Sequence, residues 1–305
     1  MFMPQELKRC VLCPRKCQVN REKQGKGICG ASNQMKIARY SLHPWEEPVL
    51  SGTNGSGTIF FSHCNLKCIY CQNYQISEEN MGYEITTEEF ADICLELQKM
   101  GAHNINLVTP THYVLQIIKG IRIAKQRGLK LPIVYNTSGY EKKETIQMLN
   151  GIVDIYLPDF KYFDEKLAYQ YSLAPNYVQS IKESLQEMVR QVGNLEYDSN
   201  HLLKKGVIVR HLCLPGHVED SKNILKYLYQ NYQDKICISI MNQYTPVRKI
   251  EKFPNLNRTL TEKEYEEIVN YACDIGITNA FIQEGETQIT SFIPKFYNQP
   301  KKKKS

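Results

Sequence analysis

From residue 57 onward, six short apolar runs recur, separated by segments long enough to form helices: GTIFFS (57–62), NINLV (104–108), LPIVY (131–135), VDIYL (153–157), GVIVRHL (206–212) and ICISI (236–240). Such runs, rich in β-branched and aromatic residues, are what strands covered on both faces require. A helix between consecutive strands makes a right-handed crossover, and repeated crossovers make a parallel sheet. The pattern predicts an α/β fold, a partial (β/α)6 barrel. TNAFIQE (278–284) offers one more short strand at the end. Two helix starts are readable as capping boxes, Thr86 with Glu89 and Thr261 with Glu264. In YVQSIKESLQEMVRQV, Ile181, Leu185, Met188, Val189 and Val192 fall on one face, a core stripe beginning just after Pro175.

Directly after the first of these strands stands SHCNLKCIYCQN, with Cys64, Cys68 and Cys71 inside eight residues. Three thiolates at this spacing can converge on one iron–sulfur cubane, and no neighbouring cysteine is placed to ligate the fourth iron. An open iron can bind a substrate or cofactor and act on it, whereas a closed cluster only passes electrons. A zinc knuckle is the competing reading, but zinc wants four ligands in paired spacing, and the nearest histidine, His63, adjoins Cys64. Because the motif follows a strand, it belongs at the carboxyl end of the sheet, where parallel α/β folds bind their ligands.

Residues 1–50 read as a Cys-rich, metal-stapled module, residues 51–295 as the barrel, and 296–305 as a basic tail ending in Lys301–Lys304. The module carries Cys10, Cys13, Cys17 and Cys29 among turn-forming Pro14, Gly25, Gly27 and Gly30. Four thiolates could hold tetrahedral zinc or a closed iron–sulfur cluster, and the spacing decides for neither. Cys94, Cys213, Cys237 and Cys273 stand alone in apolar surroundings and are expected to be buried as small hydrophobic residues. The excess of 38 basic over 32 acidic residues is small and dispersed, which argues against nucleic acid as a partner. No stretch approaches the roughly 18 apolar residues of a membrane span, and the start has no secretory h-region, so a cytoplasmic protein with reduced cysteines is expected.

The CxxxCxxC spacing, with Tyr70 before its third cysteine and the continuation YCQN, resembles the radical S-adenosylmethionine (SAM) enzymes, in particular the pyruvate formate-lyase activating branch. The resemblance extends over about residues 1–295 and implies that superfamily's partial barrel, a [4Fe–4S] cluster on Cys64, Cys68 and Cys71, and SAM as cofactor. It places Tyr70 beside the cluster and adenine, with Asn73 within hydrogen-bonding reach. NTSGY and PDFKY resemble the activases' polar loops that hold the SAM ribose and carboxylate, which carries over Asn136, Thr137, Asp159 and Lys161. After the second run the activases have Gly-Gly-Glu for the SAM amino group. This chain has VTPTHYVLQ instead, leaving Thr109, Thr111 and local carbonyls as acceptors, with His112 a candidate acid or base or a residue bound into its loop. RHLCLPGHVED resembles the family's Arg-to-Pro-Gly segment, with Arg210 or His211 facing the pocket and Pro215–Gly216 making the turn.

The implied activity is reductive cleavage of SAM to methionine and a 5′-deoxyadenosyl radical that abstracts one hydrogen. The implied substrate is a glycine Cα–H in a partner enzyme, and the reductant a flavodoxin or ferredoxin. A radical SAM enzyme acting on a small molecule is the alternative within the class. A non-catalytic iron–sulfur or zinc protein is the alternative outside it. No residue is identified as a proton donor or acceptor.

Overall fold

The computed structural model describes residues 5–283, 294 and 296–299. Its sheet contains β1 (Met35–His43), β2 (Ser56–Phe61), β3 (Tyr83–Ile85), β4 (Ile105–Val108), β5 (Ile133–Thr137), β6 (Ile155–Pro158), β7 (Glu196–Tyr197), β8 (Leu203–Leu212), β9 (Cys237–Met241) and β10 (Ala280–Ile282). The spatial order is β10-β9-β8-β6-β5-β4-β2-β1-β3, with β7 hung antiparallel on β8. From β2 to β10 every neighbouring pair on this path is parallel. The six apolar runs are β2, β4, β5, β6, β8 and β9, and the terminal segment supplies β10. The run of strands is not closed on itself among the described residues, so the barrel is partial.

β1 lies within residues 1–50, where the sequence offered a Cys-rich module and no strand, and it pairs antiparallel with both β2 and β3. The sheet therefore extends by two strands beyond its parallel part.

The helices begin where side chains satisfy their first amides. The Thr86 hydroxyl accepts from the Glu89 amide at 3.1 Å while Glu89 Oε2 accepts from the Thr86 amide at 2.7 Å, and Thr261 with Glu264 repeats the box. On the helix Tyr177–Val192 the stripe Ile181, Leu185, Met188 and Val192 is buried against the sheet, worth about 2 kcal/mol for each such side chain. Of the four solitary cysteines, Cys94, Cys213 and Cys237 are buried, but Cys273 is exposed. It sits on the helix Glu262–Asp274 next to Ala272, and one residue along a helix is a turn of about 100°, off the face that Ile268 and Ala272 bury.

Strand alternation sorts the interior into two layers. One face packs against the helices in the main core. The opposite face carries a smaller cluster of Leu50, Val134, Ile155, Leu157, Leu203, Ile208 and Cys237. Two residues further toward the carboxyl ends, the same alternation puts Asn136, Asp159, Arg210 and Ser239 on that face. Apolar floor thus gives way to a polar layer where the strands end.

Candidate active site

A cleft opens at the carboxyl ends of the strands. Cys64, Cys68, Cys71, Tyr70, Asn73, Thr109, Asn136, Thr137, Asp159 and Lys161 all line it, whereas Thr111, also singled out in the sequence, is buried away from it with its hydroxyl on Glu141. Arg210 lines it too, whereas His211 faces the other way, bound to the Phe160 carbonyl and the Ser221 hydroxyl at 2.8 Å each.

The loop carrying the cysteines is laced to its surroundings by backbone. The Lys67 and Ile69 amides donate to the Ser172 and Tyr171 carbonyls at 3.0 and 2.8 Å, and buried Asn65 donates Nδ2 to the Tyr140 carbonyl at 2.7 Å. Arg248 ties down the far end, donating Nε to the Ile69 carbonyl while its guanidinium grips Glu78 through two bonds of 2.8 Å. His63, just before Cys64, takes φ 75°, a conformation that only a strongly determined loop holds in a residue with a Cβ.

Each sulfur has a donor aimed at it: the Leu66 amide at Cys64 (3.4 Å), the Ser172 hydroxyl at Cys68 (3.0 Å) and the Ser77 hydroxyl at Cys71 (3.4 Å). Burial pushes all three thiols up, Cys68 to about 11, so loading a metal must expel their protons. No fourth cysteine lines the cleft among the described residues. Three thiols without a fourth are the ligand set that a [4Fe–4S] cluster with one open iron would take. Behind the cysteines the Tyr70 hydroxyl meets that of Tyr162 at 2.5 Å, and Tyr162 meets Ser172 at 2.6 Å. A hydroxyl chain thus runs from Tyr70 to the Cys68 sulfur.

The polar layer is one connected network. Arg210 donates Nε to Asp159 (2.9 Å), Nη1 to Glu46 (2.9 Å) and Nη2 to Asn136 (2.7 Å), and Lys161 donates to the second Asp159 oxygen at 2.7 Å. Burial pushes Asp159 up, but Arg210 and Lys161 outweigh it and hold the carboxyl below its ordinary value. Burial likewise works against the charged Lys161, and Asp159 more than restores it. Glu46, which the sequence reading missed, is completed by the amides of Asn106 and Asn136 at 2.8 and 3.1 Å. Its neighbour Glu47 is raised to about 7, first by burial and then by Glu46.

Two of the sequence candidates act differently than their position suggests. Thr137 turns its hydroxyl to the buried Glu141 on the helix-facing side, so what it offers the cleft is backbone. His112 is bound across to the segment that follows β2, its Nε2 at 2.8 Å from the Ser62 carbonyl, and burial keeps it neutral. Thr109 stands in the cleft with φ 59°, a strained state for a β-branched residue, fixed by its amide donating to the Asn136 carbonyl at 2.9 Å.

The sequence profile of the radical SAM superfamily matches residues 58–242, more than half of the chain. The chain belongs to the radical SAM superfamily. It is 33% identical over 279 residues to an uncharacterised protein of Methanocaldococcus jannaschii, covering 87% of this chain and 74% of that one. Among solved structures it is similar to Streptococcus suis SuiB bound to S-adenosylmethionine, with TM-score 0.50 and 15% identity over 73% of this chain and 48% of that chain. SuiB bound to its precursor peptide SuiA gives the same TM-score at 14% identity, covering 73% and 47%. At that identity the likeness shows the shared fold. The chain spans about half the length of SuiB.

A radical SAM enzyme implies a [4Fe–4S] cluster and SAM, and when bound they supply one-electron cleavage of a carbon–sulfur bond. The cleft's residues suit that group: three thiols that each receive a hydrogen bond, no fourth among the described residues, and a charged layer at the strand ends. No helix among the described residues is long and apolar enough to cross a membrane.

Proposed function

We propose that this radical SAM enzyme is of the glycyl-radical activating type, abstracting a hydrogen from a glycine Cα in a partner protein. Cys64, Cys68 and Cys71 hold the cluster. Asp159, Lys161, Asn136 and Thr109 fix SAM, with Tyr70 and Asn73 bordering it. A charge-assisted contact from Lys161 orients the SAM carboxylate, and Asp159 keeps Lys161 charged and in place. Thr109 takes over through its strained backbone what Gly-Gly-Glu does in the activases.

The observation that carries this reading is that the cysteine loop and the Asp159–Lys161–Arg210 layer open into one cleft at the end of an unclosed barrel. An unclosed barrel leaves room at its side for a polypeptide segment, and the related fold of SuiB has been solved with a peptide bound. Exposed Trp45, with Met241 and Gln243, lines the same cleft and supplies apolar and hydrogen-bonding surface for such a segment.

We further assign a second metal centre to Cys10, Cys13, Cys17 and Cys29, and a flavodoxin or ferredoxin as reductant. The substrate test is anaerobic incubation with SAM, dithionite and the protein encoded beside this one, followed by electron paramagnetic resonance (EPR). A glycyl radical signal on the partner supports the proposal. Release of 5′-deoxyadenosine driven only by small metabolites overturns it.

A further inference from the structure

Outside the cleft, the densest chemistry lies in residues 8–30. Cys10, Cys13 and Cys29 are buried, Cys17 half-buried, and none is in a disulfide. Their loop is wound tightly. The Cys10 amide donates to the Val19 carbonyl at 2.9 Å, the Gln18 amide returns to Cys10 at 2.8 Å, and Lys16, Gln18 and Gln24 all take positive φ. Gly27 has no room for a side chain, since a Cβ there would lie 2.4 Å from Cys17 Sγ. The thiols lie within electrostatic range of one another, Cys13 feeling Cys10 and Cys29, and Cys29 feeling Cys10 and Cys17. Four free thiols wound into one loop make a ligand set of the size that a four-thiolate iron–sulfur cluster takes.

The module is seated on the trio's loop from outside the cleft, which none of residues 8–30 lines. Arg15, two residues after Cys13, donates Nε to the carbonyl of Asn65, the residue after Cys64, at 2.9 Å. Its Nη2 reaches the carbonyl of Ser172, whose hydroxyl is on Cys68. Gly30, next to Cys29, packs on His63, next to Cys64, so closely that a Cβ would stand 3.2 Å from the ring. The outer surface of the module is basic: Lys8, Arg9, Lys16, Lys23 and Lys26 are exposed against one exposed acid, Glu22.

We propose that residues 8–30 are the electron entry of this enzyme: their four thiolates hold an iron–sulfur cluster that relays single electrons to the trio, and their basic rim docks an acidic one-electron carrier protein. The relay rests on the radical SAM reading of Cys64, Cys68 and Cys71. One electron leaves the carrier's flavin or iron–sulfur group, is held at the four-thiolate site and passes to the three-thiolate site. There it enters the sulfonium, whose carbon–sulfur bond breaks to methionine and a carbon radical. The carrier is oxidised by one electron, SAM is reduced by one, and no proton is consumed.

The test compares anaerobically reconstituted full-length protein with two variants, Cys10→Ser/Cys13→Ser and Lys16→Glu/Lys23→Glu/Lys26→Glu. Iron is counted, and reduction by dithionite or by a strongly acidic reduced flavodoxin is followed by EPR. The cysteine variant should lose one cluster's iron, keep dithionite reduction of the trio and lose flavodoxin reduction. The lysine variant changes only exposed side chains. It should keep its iron and be reduced by flavodoxin about tenfold more slowly at low salt, a deficit that shrinks as salt rises. Zinc in the module, or flavodoxin rates equal to the wild type in both variants, overturns the relay. Wild-type protein that makes no 5′-deoxyadenosine with dithionite sinks the radical SAM reading itself, a separate outcome.

Discussion

Arg210 and Asp159 form an ion pair at 2.9 Å in the floor of the cleft, and the same guanidinium holds Glu46 at 2.9 Å. One cation thus answers two carboxylates that little water reaches. Replacing it with Met leaves Asp159 to Lys161 alone and Glu46 to the amides of Asn106 and Asn136, with no cation, and removing one partner from a buried charge network costs about 3–5 kcal/mol. Urea unfolding of the Arg210→Met apoprotein should show that loss, and SAM affinity should fall with it. Arg210→Lys should recover only part, because an ammonium cannot reproduce the fork that also reaches Asn136. A loss under about 1 kcal/mol in the Met variant would mean the network does not organise the site.

Ser172 donates to Cys68 at 3.0 Å and receives the hydroxyl chain from Tyr70 and Tyr162. Donors on a cluster's sulfurs favour its more negative, reduced state. Ser172→Ala is therefore expected to move the cluster's midpoint potential in the negative direction, read by EPR-monitored redox titration. An unchanged potential would remove Ser172 from this role.

Burial raises Glu141 to about 7, against which hydrogen bonds from Thr111, Thr137 and Tyr135 work; all three hydroxyls meet Oε1, and Oε2 has no partner. A carboxyl raised on folding binds its proton more tightly in the native state. Its stabilisation is complete below the unfolded value near 4.5 and is lost as pH rises toward 7. Wild-type apoprotein should lose about 3 kcal/mol across that window from this group, and Glu141→Gln should show a flatter profile by that amount. Parallel profiles would contradict the assignment.

Thr109 holds φ 59° at the cleft's edge, where glycine would sit without strain. Thr109→Gly should keep the apoprotein's melting temperature or raise it, by up to about 1 kcal/mol of stability. A clear loss would show that the side chain, not the backbone shape, is what the position needs.

The parallel strands are legible in the sequence because strands covered on both faces read as unbroken apolar runs, and the trio is legible because its ligands are local. β1 is not, since its register shifts between Ile37 and Arg39. Met35 and Ile37 are buried, then Ala38, and the bulge breaks the alternation that would have announced a strand. Glu46 is hidden for a different reason: it lies in a loop and its cation is 164 residues away. Motif position alone placed Thr137 in the cleft, whereas strand alternation, applied from Asn136, would have turned its hydroxyl to the helix side.

The account's centre is an iron left open by Cys64, Cys68 and Cys71, and one assay reaches it directly. Anaerobically reconstituted protein, given dithionite and SAM, is predicted to release 5′-deoxyadenosine and methionine, and the Cys71→Ala protein none. Iron-loaded wild type that leaves SAM intact, or a Cys71→Ala protein that cleaves it as fast as wild type, would contradict the account.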